Sequence, residues 1–164
     1  FTSYRMMHLV AEGLTTQMDY PVYMQGQMSK RIILEKFTRH GNAVLLGTAS
    51  FWEGVDVRGS TLSCVIIDKL PFAAPDDPLL QAKMQDCQMQ GKDPFAHIQL
   101  PQAVIALKQG VGRLIRDNKD KGVLVICDNR LVTRQYGQVF LKSLPPMRRT
   151  RSLEDANTFL KHIN

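Results

Sequence analysis

Four short apolar runs alternate along the chain with segments whose apolar residues recur at the spacing of a helix. Three of the runs are almost continuously apolar, which is typical of strands covered on both faces. The strand-like runs are residues 20–26, 43–48, 62–68 and 122–128. The helical patterns are residues 4–13, 28–39, 77–90, 99–117 and 131–142. This alternation predicts an α/β fold, with an open, mostly parallel sheet and helices on both of its faces.

Prolines interrupt this pattern in two places. Residues 69–78, KLPFAAPDDP, contain three prolines and no periodicity, which predicts an ordered loop or lid. Two further prolines in SLPP (143–146) predict the edge of the compact domain, because proline cannot continue a helix. We therefore expect a domain over residues 1–146, followed by a basic arm and an amphipathic helix over residues 147–164. The opening FTSY is typical of a strand turning into a helix, so the first strand is expected to be incomplete.

Composition and charge bound the class of protein. The 164 residues, 44% of them hydrophobic and 22% charged, suffice for one globular domain. The net charge of +6 favours a polyanionic partner such as nucleic acid, although charge that serves only solubility explains it equally well. No apolar run approaches the roughly 18 residues of a membrane span, and no signal peptide is visible, so a cytoplasmic protein without a membrane partner is expected. A chain that begins at Phe1 suggests a fragment of a longer protein.

The three cysteines are widely separated. Cys64, Cys87 and Cys127 form no CxxC pair, which argues against a zinc or iron–sulfur site within this segment. Cys64 and Cys127 fall in apolar runs, so both are predicted to be buried thiols.

Hydroxyl groups follow strand-like residues at the start of the chain. Ligands of open α/β sheets collect at the carboxyl ends of strands, and a helix N-terminus binds phosphate well. Thr2 and Ser3 stand at such a strand-to-helix turn. Their hydroxyls suit a phosphate, but a serine or threonine at this place most often only caps the helix.

A second polar group follows the run 43–48, in GTASFWEGVDVRG (47–59). Thr48 and Ser50 could donate to phosphates, and Asp56 could accept hydrogen bonds from the hydroxyls of a ribose. Glycines, Gly54 among them, permit tight turns and close backbone approach. The alternative is a capped turn, in which aromatic side chains serve only as packing.

A third group lies in the helical pattern QGVGRLIR (109–116). Gln109, Arg113 and Arg116 fall opposite the apolar stripe, and Gly112 lies on their face. The stripe consists of Leu100, Val104, Leu107, Val111 and Leu114. A glycine here costs about 1 kcal/mol of helix stability relative to alanine. Two arginines on a surface cleared in this way suit phosphate oxygens, and the alternative is a solvated basic face.

These three stretches, with KLPF between the last two, resemble motifs IV, V and VI of the XPD/DinG branch of superfamily 2 helicases. The resemblance covers about residues 1–146. It implies the second RecA-like motor domain of an ATP-dependent helicase that moves 5′ to 3′ on single-stranded or forked DNA. It also implies ATP and Mg²⁺ bound together with an N-terminal motor half, and a 4Fe–4S cluster in that half. The alternative is a nucleic-acid-binding module without motor activity.

The resemblance also implies a role for each site residue. Thr2, Ser3, Thr48 and Ser50 would contact the DNA backbone. Glu53, next to Gly54, would couple this loop to the opposite motor domain, and Asp56 would meet the nucleotide ribose. Gln109 would sit near the γ-phosphate or the attacking water. Arg113 and Arg116, beside Gly112, would stabilise the charge that builds during phosphoryl transfer.

The last residues predict a helix with two possible uses. Ser152 and Asp155 form an acidic variant of the capping box, and the apolar residues after them share one face. That face either packs on the motor domain or docks a replication or repair protein beside the arm MRRTR. The docking residues would be Arg148, Arg149, Arg151, Phe159 and Leu160.

Overall fold

A computed structural model describes residues 1–52, 62–115 and 119–163, except the side chains of Ser50 and Trp52. Every predicted apolar run contains a strand. The four strands are Val22–Met24 (β1), Val44–Leu46 (β2), Cys64–Ile67 (β3) and Val123–Ile126 (β4). β1 pairs with β2, and β3 pairs with β4, in both cases in parallel. The described strands thus form two parallel pairs, and the predicted α/β class is confirmed.

Helices connect and cover these strands. In chain order they are Tyr4–Gln17 (α1), Lys30–His40 (α2), Ala49–Trp52 (α3), Pro78–Met89 (α4), Leu100–Leu114 (α5), Arg130–Thr133 (α6), Gly137–Ser143 (α7) and Leu153–Ile163 (α8). A π-helical turn, Phe95–Gln99, leads directly into α5. The Asp77 carboxylate begins α4 by accepting the Leu80 N–H at 3.0 Å. Gly41, with a φ of 76°, ends α2, a conformation that favours glycine.

Three predicted helices differ from the structure. The pattern 4–13 gives α1, which continues to Gln17. The pattern 131–142 is not one helix, because the chain turns between α6 and α7. The Gly137 N–H closes this turn on the Arg134 carbonyl, and a Cβ at Gly137 would overlap the Leu131 carbonyl. The pattern 99–117 gives α5, whose last residue is Leu114. Arg116 lies outside the described residues.

Each strand pair packs over its own apolar cluster. The cluster against β3 and β4 is formed mainly by α5 and α7, and the one against β1 and β2 by α2 and α3. The buried members of the first are Ile67, Leu70, Ala103, Leu107, Val111 and Phe140. Those of the second are Ile33, Phe37 and Phe51. The predicted stripe of α5 therefore faces the core, and burial of each large side chain contributes about 1.5–3 kcal/mol.

The first two residues lie between the carboxyl ends of β2 and β3. The Phe1 backbone nitrogen donates to the Gly47 carbonyl at 2.7 Å. The Thr2 N–H and hydroxyl donate to the two oxygens of Asp68, at 3.0 and 3.1 Å. α1 begins shortly after these residues, at Tyr4. These bonds bring the ends of both strand pairs to a common edge.

The C-terminal helix α8 lies against β4. Its predicted cap is present, because the Asp155 N–H donates to the Ser152 hydroxyl at 3.2 Å. The predicted apolar face is divided: Ala156, Leu160 and Ile163 are half-buried. Phe159 is 45% exposed and Leu153 80% exposed. The same helix thus packs on the domain and presents apolar side chains outward.

Cys127 corrects a prediction. It follows the last residue of β4 and is exposed, whereas Cys64, within β3, is half-buried. Burial raises the pKa of the Cys64 thiol above its ordinary value. Among the helices of the described ranges, none combines the length and apolarity needed to cross a membrane.

Candidate functional site

The hydroxyls at the start of the chain are held by neighbouring groups. Thr2 gives both its N–H and its hydroxyl proton to Asp68, so this hydroxyl can only accept a further hydrogen bond. Ser3 caps α1, with its Oγ accepting the Met6 N–H at 3.3 Å. The capping alternative therefore applies to Ser3. Its own hydroxyl proton stays available at the helix N-terminus, where anions are favoured.

A side-chain network joins the starts of α1 and α3 at the same edge. The Gln25 Oε1 accepts the Thr48 N–H at 2.8 Å and the Thr48 hydroxyl at 3.0 Å. The Gln25 Nε2 donates to the Tyr4 hydroxyl at 2.8 Å. Sequence reasoning missed Gln25, although it follows a strand just as Thr48 does. Phe51 packs in the β1–β2 cluster, as expected for a packed turn.

The polar face of α5 carries Arg113, which is half-buried. Its Nε is a buried atom without a hydrogen-bond partner among the described residues. Buried donors of this kind are rare in folded proteins, so the partner of this Nε lies beyond the described residues. Gly112 is exposed, and a Cβ there would have no described atom within 4 Å. Gln109 is exposed on the same helix.

The predicted second group lies close to this helix. α3, which follows Thr48, packs against α5. The edge that carries the hydroxyls of Thr2, Ser3 and Thr48 and the face of α5 that carries Arg113 therefore belong to adjoining elements. The remaining predicted residues of the site are Glu53, Gly54, Asp56 and Arg116, which lie outside the described residues, as does the side chain of Ser50.

An ion pair after β4, which the sequence analysis also missed, orders the loop after β3. Asp128 accepts the Leu70 N–H at 2.9 Å and the Arg130 Nη2 at 2.6 Å. These hydrogen bonds lower the pKa of Asp128 to about 2, and the bond from the Arg130 side chain has the largest effect. The Arg130 guanidinium lies 5.4 Å from the centre of the Phe72 ring. The pair thus fixes both the backbone and the aromatic side chain of the KLPF loop.

This ion pair borders a cleft of about 630 Å³. The cleft is lined by Asp68, Lys69, Cys127, Asp128, Asn129 and Arg130, all at the carboxyl ends of β3 and β4. Within the described part of the chain, no group of three or more histidines, cysteines or acidic residues is placed to hold a metal ion.

The parallel strands and covering helices form an α/β fold consistent with a RecA-like motor domain of the helicase class. The chain belongs to the helicase C-terminal domain family, whose model matches residues 1–147. The resemblance to XPD/DinG-like superfamily 2 helicases is confirmed.

Individual relatives support the same assignment. The chain is 62% identical over 159 residues to the ATP-dependent DNA helicase YoaA of Escherichia coli (strain K12), covering 97% of this chain and 25% of that protein. It is 37% identical over 163 residues to the ATP-dependent helicase DinG of Mycobacterium tuberculosis (strain ATCC 25177 / H37Ra), covering 99% of this chain and 24% of that protein. It is 41% identical over 150 residues to the 3′-5′ exonuclease DinG of Bacillus subtilis (strain 168), covering 88% of this chain and 16% of that protein. The chain spans about a quarter or less of the length of these relatives.

Proposed function

We propose that this chain is the second motor domain of a cytoplasmic bacterial ATP-dependent DNA helicase that moves 5′ to 3′ on single strands. The observation that carries the proposal is the buried Nε of Arg113, which has no partner among the described residues and lies beside the exposed Gly112. An anion would satisfy this donor, and the γ-phosphate of ATP held by an N-terminal motor half would supply one. The family membership supports ATP as the source of that anion.

In the proposed reaction a water molecule attacks the γ-phosphorus, and the bond to the bridging oxygen of the departing ADP breaks. Negative charge is spread over the transferred phosphoryl group. Arg113 and Arg116 would stabilise this charge, and Gln109 would orient the water. Asp56 would bind the ribose, while Glu53 beside Gly54 would connect the DNA loop to the other motor half. The groups that bind Mg²⁺ and a 4Fe–4S cluster would belong to the remainder of the protein.

The DNA side of the proposed function rests on the common edge of the two strand pairs. Ser3 offers a hydroxyl proton at the start of α1, and Thr48 and Ser50 stand at the start of α3. Thr2 is oriented by Asp68 and would accept rather than donate. The net charge of +6 favours the approach of a phosphate backbone.

We test the proposed function in the full-length protein by Arg113→Ala. An arginine finger contributes about 10³–10⁵ in rate, so DNA-stimulated ATP hydrolysis should fall by several orders of magnitude while ATP binding persists. Arg134→Ala is the matched control, because Arg134 is exposed and lies in the turn between α6 and α7. Near-normal hydrolysis in the Arg113 variant would place the arginine on a solvated basic face, whereas a wild-type protein without DNA-stimulated hydrolysis would favour the alternative of a binding module. Unwinding of forks with a 5′ or a 3′ tail then decides the direction, and the isolated chain should hydrolyse no ATP.

A docking role for the C-terminal tail is a second part of the proposal. Arg148, Arg149 and Arg151 are exposed, and Phe159 presents an apolar ring outward from α8. Arg149 is also bonded to the Leu141 carbonyl at 3.1 Å, which orients the arm.

We propose that a replication or repair protein contacts the arm of Arg148, Arg149 and Arg151 and the exposed ring of Phe159, while the half-buried Leu160 packs α8 on the domain. Phe159→Ala should then abolish co-purification of the partner without lowering the melting temperature. A variant that retains every partner would remove the docking role.

A further inference from the structure

Gln25 connects two segments that are far apart in sequence. It follows β1 directly, in a turn in which Gly26 has a φ of 97°. Its carboxamide lies between Tyr4, the first residue of α1, and Thr48, which follows β2. Both residues stand at the edge that is proposed to face DNA. Thr48 is 8% exposed, whereas Tyr4 is 52% exposed.

The chemistry of the neighbours fixes the orientation of this carboxamide. A backbone N–H can only donate, so the Gln25 atom 2.8 Å from the Thr48 nitrogen must be the carbonyl oxygen. The amide nitrogen therefore faces Tyr4, at 2.8 Å. Since that nitrogen can only donate, the Tyr4 oxygen accepts. The proton of the Tyr4 hydroxyl is then directed away from Gln25.

The same reasoning sets the direction of the Thr48 hydroxyl. Its Oγ1 lies 3.0 Å from an oxygen that has no proton, so Thr48 is the donor of this bond. Gln25 thus accepts the hydroxyl proton of Thr48 and leaves the hydroxyl proton of Tyr4 directed away from itself. A hydroxyl proton directed in this way, on a half-exposed ring, can bind a phosphate oxygen.

We propose that Gln25 is a positioning residue for DNA binding, which orients the Tyr4 hydroxyl as a donor to a DNA phosphate and ties it to the segment that begins with Thr48. This inference rests on the proposed function and deepens it. The residue is uncharged and contacts no phosphate itself. It acts through the two hydroxyls that it binds.

The test compares DNA affinity in the full-length protein for wild type, Gln25→Leu, Tyr4→Phe and the double variant, with a fluorescent oligothymidylate as probe. Each single variant should bind about three- to tenfold more weakly, the contribution of one ordinary hydrogen bond. The double variant should bind no more weakly than Gln25→Leu alone, because Tyr4 acts only when Gln25 orients it. Additive losses would overturn the proposal, as would wild-type affinity in either single variant.

A matched control is available in the same turn. Gln27 is exposed, and among the described residues its Oε1 accepts only the nearby Met24 N–H, at 3.0 Å. Gln27→Leu should therefore retain wild-type DNA affinity, and an equal loss in this variant would contradict the inference. If Gln25→Leu fails to fold, Tyr4→Phe alone decides, since its half-exposed ring tolerates the change.

Kinetics add a readout that a merely structural role would not move. In Gln25→Leu, the DNA concentration for half-maximal ATP hydrolysis should rise, with the rate at saturating DNA retained. A fall in the saturated rate without that rise would overturn the proposal. A wild-type protein without DNA-stimulated hydrolysis would refute the proposed function instead, and is thereby distinguished from failure of this inference.

Discussion

The open surface at Gly112 allows a change that should raise stability and lower activity together. Gly112 lies in the last turn of α5, it has no positive φ, and a Cβ there would meet nothing within 4 Å. Alanine is about 0.8–1.0 kcal/mol more favourable than glycine in a helix interior. Near a helix end the gain is smaller, so we expect Gly112→Ala to stabilise the domain by about 0.5–1 kcal/mol. For a chain of this size that raises the melting temperature by about 1–4 °C.

The expected loss of activity comes from the proposed approach of a nucleotide and the other motor half to this surface. An added methyl group in a closely packed contact costs about 1–3 kcal/mol. The kcat/KM for ATP in the full-length protein should therefore fall by about one to two orders of magnitude. Melting curves and steady-state hydrolysis with saturating single-stranded DNA measure the two effects separately.

Gly13→Ala provides the control. Gly13 lies within α1, and a Cβ there also has nothing within 4 Å. This variant should show the gain in stability and full ATP hydrolysis. Full hydrolysis in Gly112→Ala as well would refute the close approach of a nucleotide or the other motor half to this surface. A lowered melting temperature in this variant would refute the expected gain in helix stability.

Three further changes test the packing of the fold. Lowering the pH should remove about 2 kcal/mol of folding stability, because Asp128 has a pKa of about 2 in the folded protein and an ordinary value of 3.8. This stability is present above about pH 4 and is lost towards pH 2. The free energy of unfolding of Asp128→Asn, measured by chemical denaturation, should therefore depend less on pH. Gly137→Ala should lower the melting temperature sharply, since its Cβ overlaps a backbone carbonyl, and a native melt would contradict this. Leu160→Ala should cost about 1–2 kcal/mol in denaturant, whereas Phe159→Ala, more exposed, should stay within about 0.5 kcal/mol.

The strands and the buried face of α5 could be predicted because their signals are local. Continuous apolar runs gave β2, β3 and β4 within two residues of their bounds. The stripe of α5 followed from helical spacing alone. The break between α6 and α7 was not predictable in this way. It depends on how closely Gly137 approaches Leu131, which periodicity does not report.

The sequence analysis singled out polar residues that form dense motifs and missed single residues that bond to partners far away in the sequence. Gln25, Asp68 and Asp128 each follow a strand, the same position that singled out Thr48. Their partners are separated from them by 23, 66 and 58 residues, respectively. One polar residue after a strand is a weak signal, because strands often end in this way. Four such residues after parallel strands, however, must meet at one edge, and that rule would have found them.

Under the proposed function, the donors at this edge and on α5 would serve two polyanions, DNA and ATP. Gln25 and Asp68 satisfy the hydroxyl protons of Thr48 and Thr2 within the protein. The proton of Ser3 and the proton of Tyr4 are left for a ligand, and both stand at the start of α1. On α5, by contrast, the donor without a partner among the described residues is the Nε of the charged Arg113. Neutral hydroxyls suit a DNA backbone that must be released at each step, whereas a half-buried arginine suits a charge that forms only during phosphoryl transfer. The contact of α3 with α5 places these two kinds of donor on adjoining elements, so a movement of one element can be transmitted to the other.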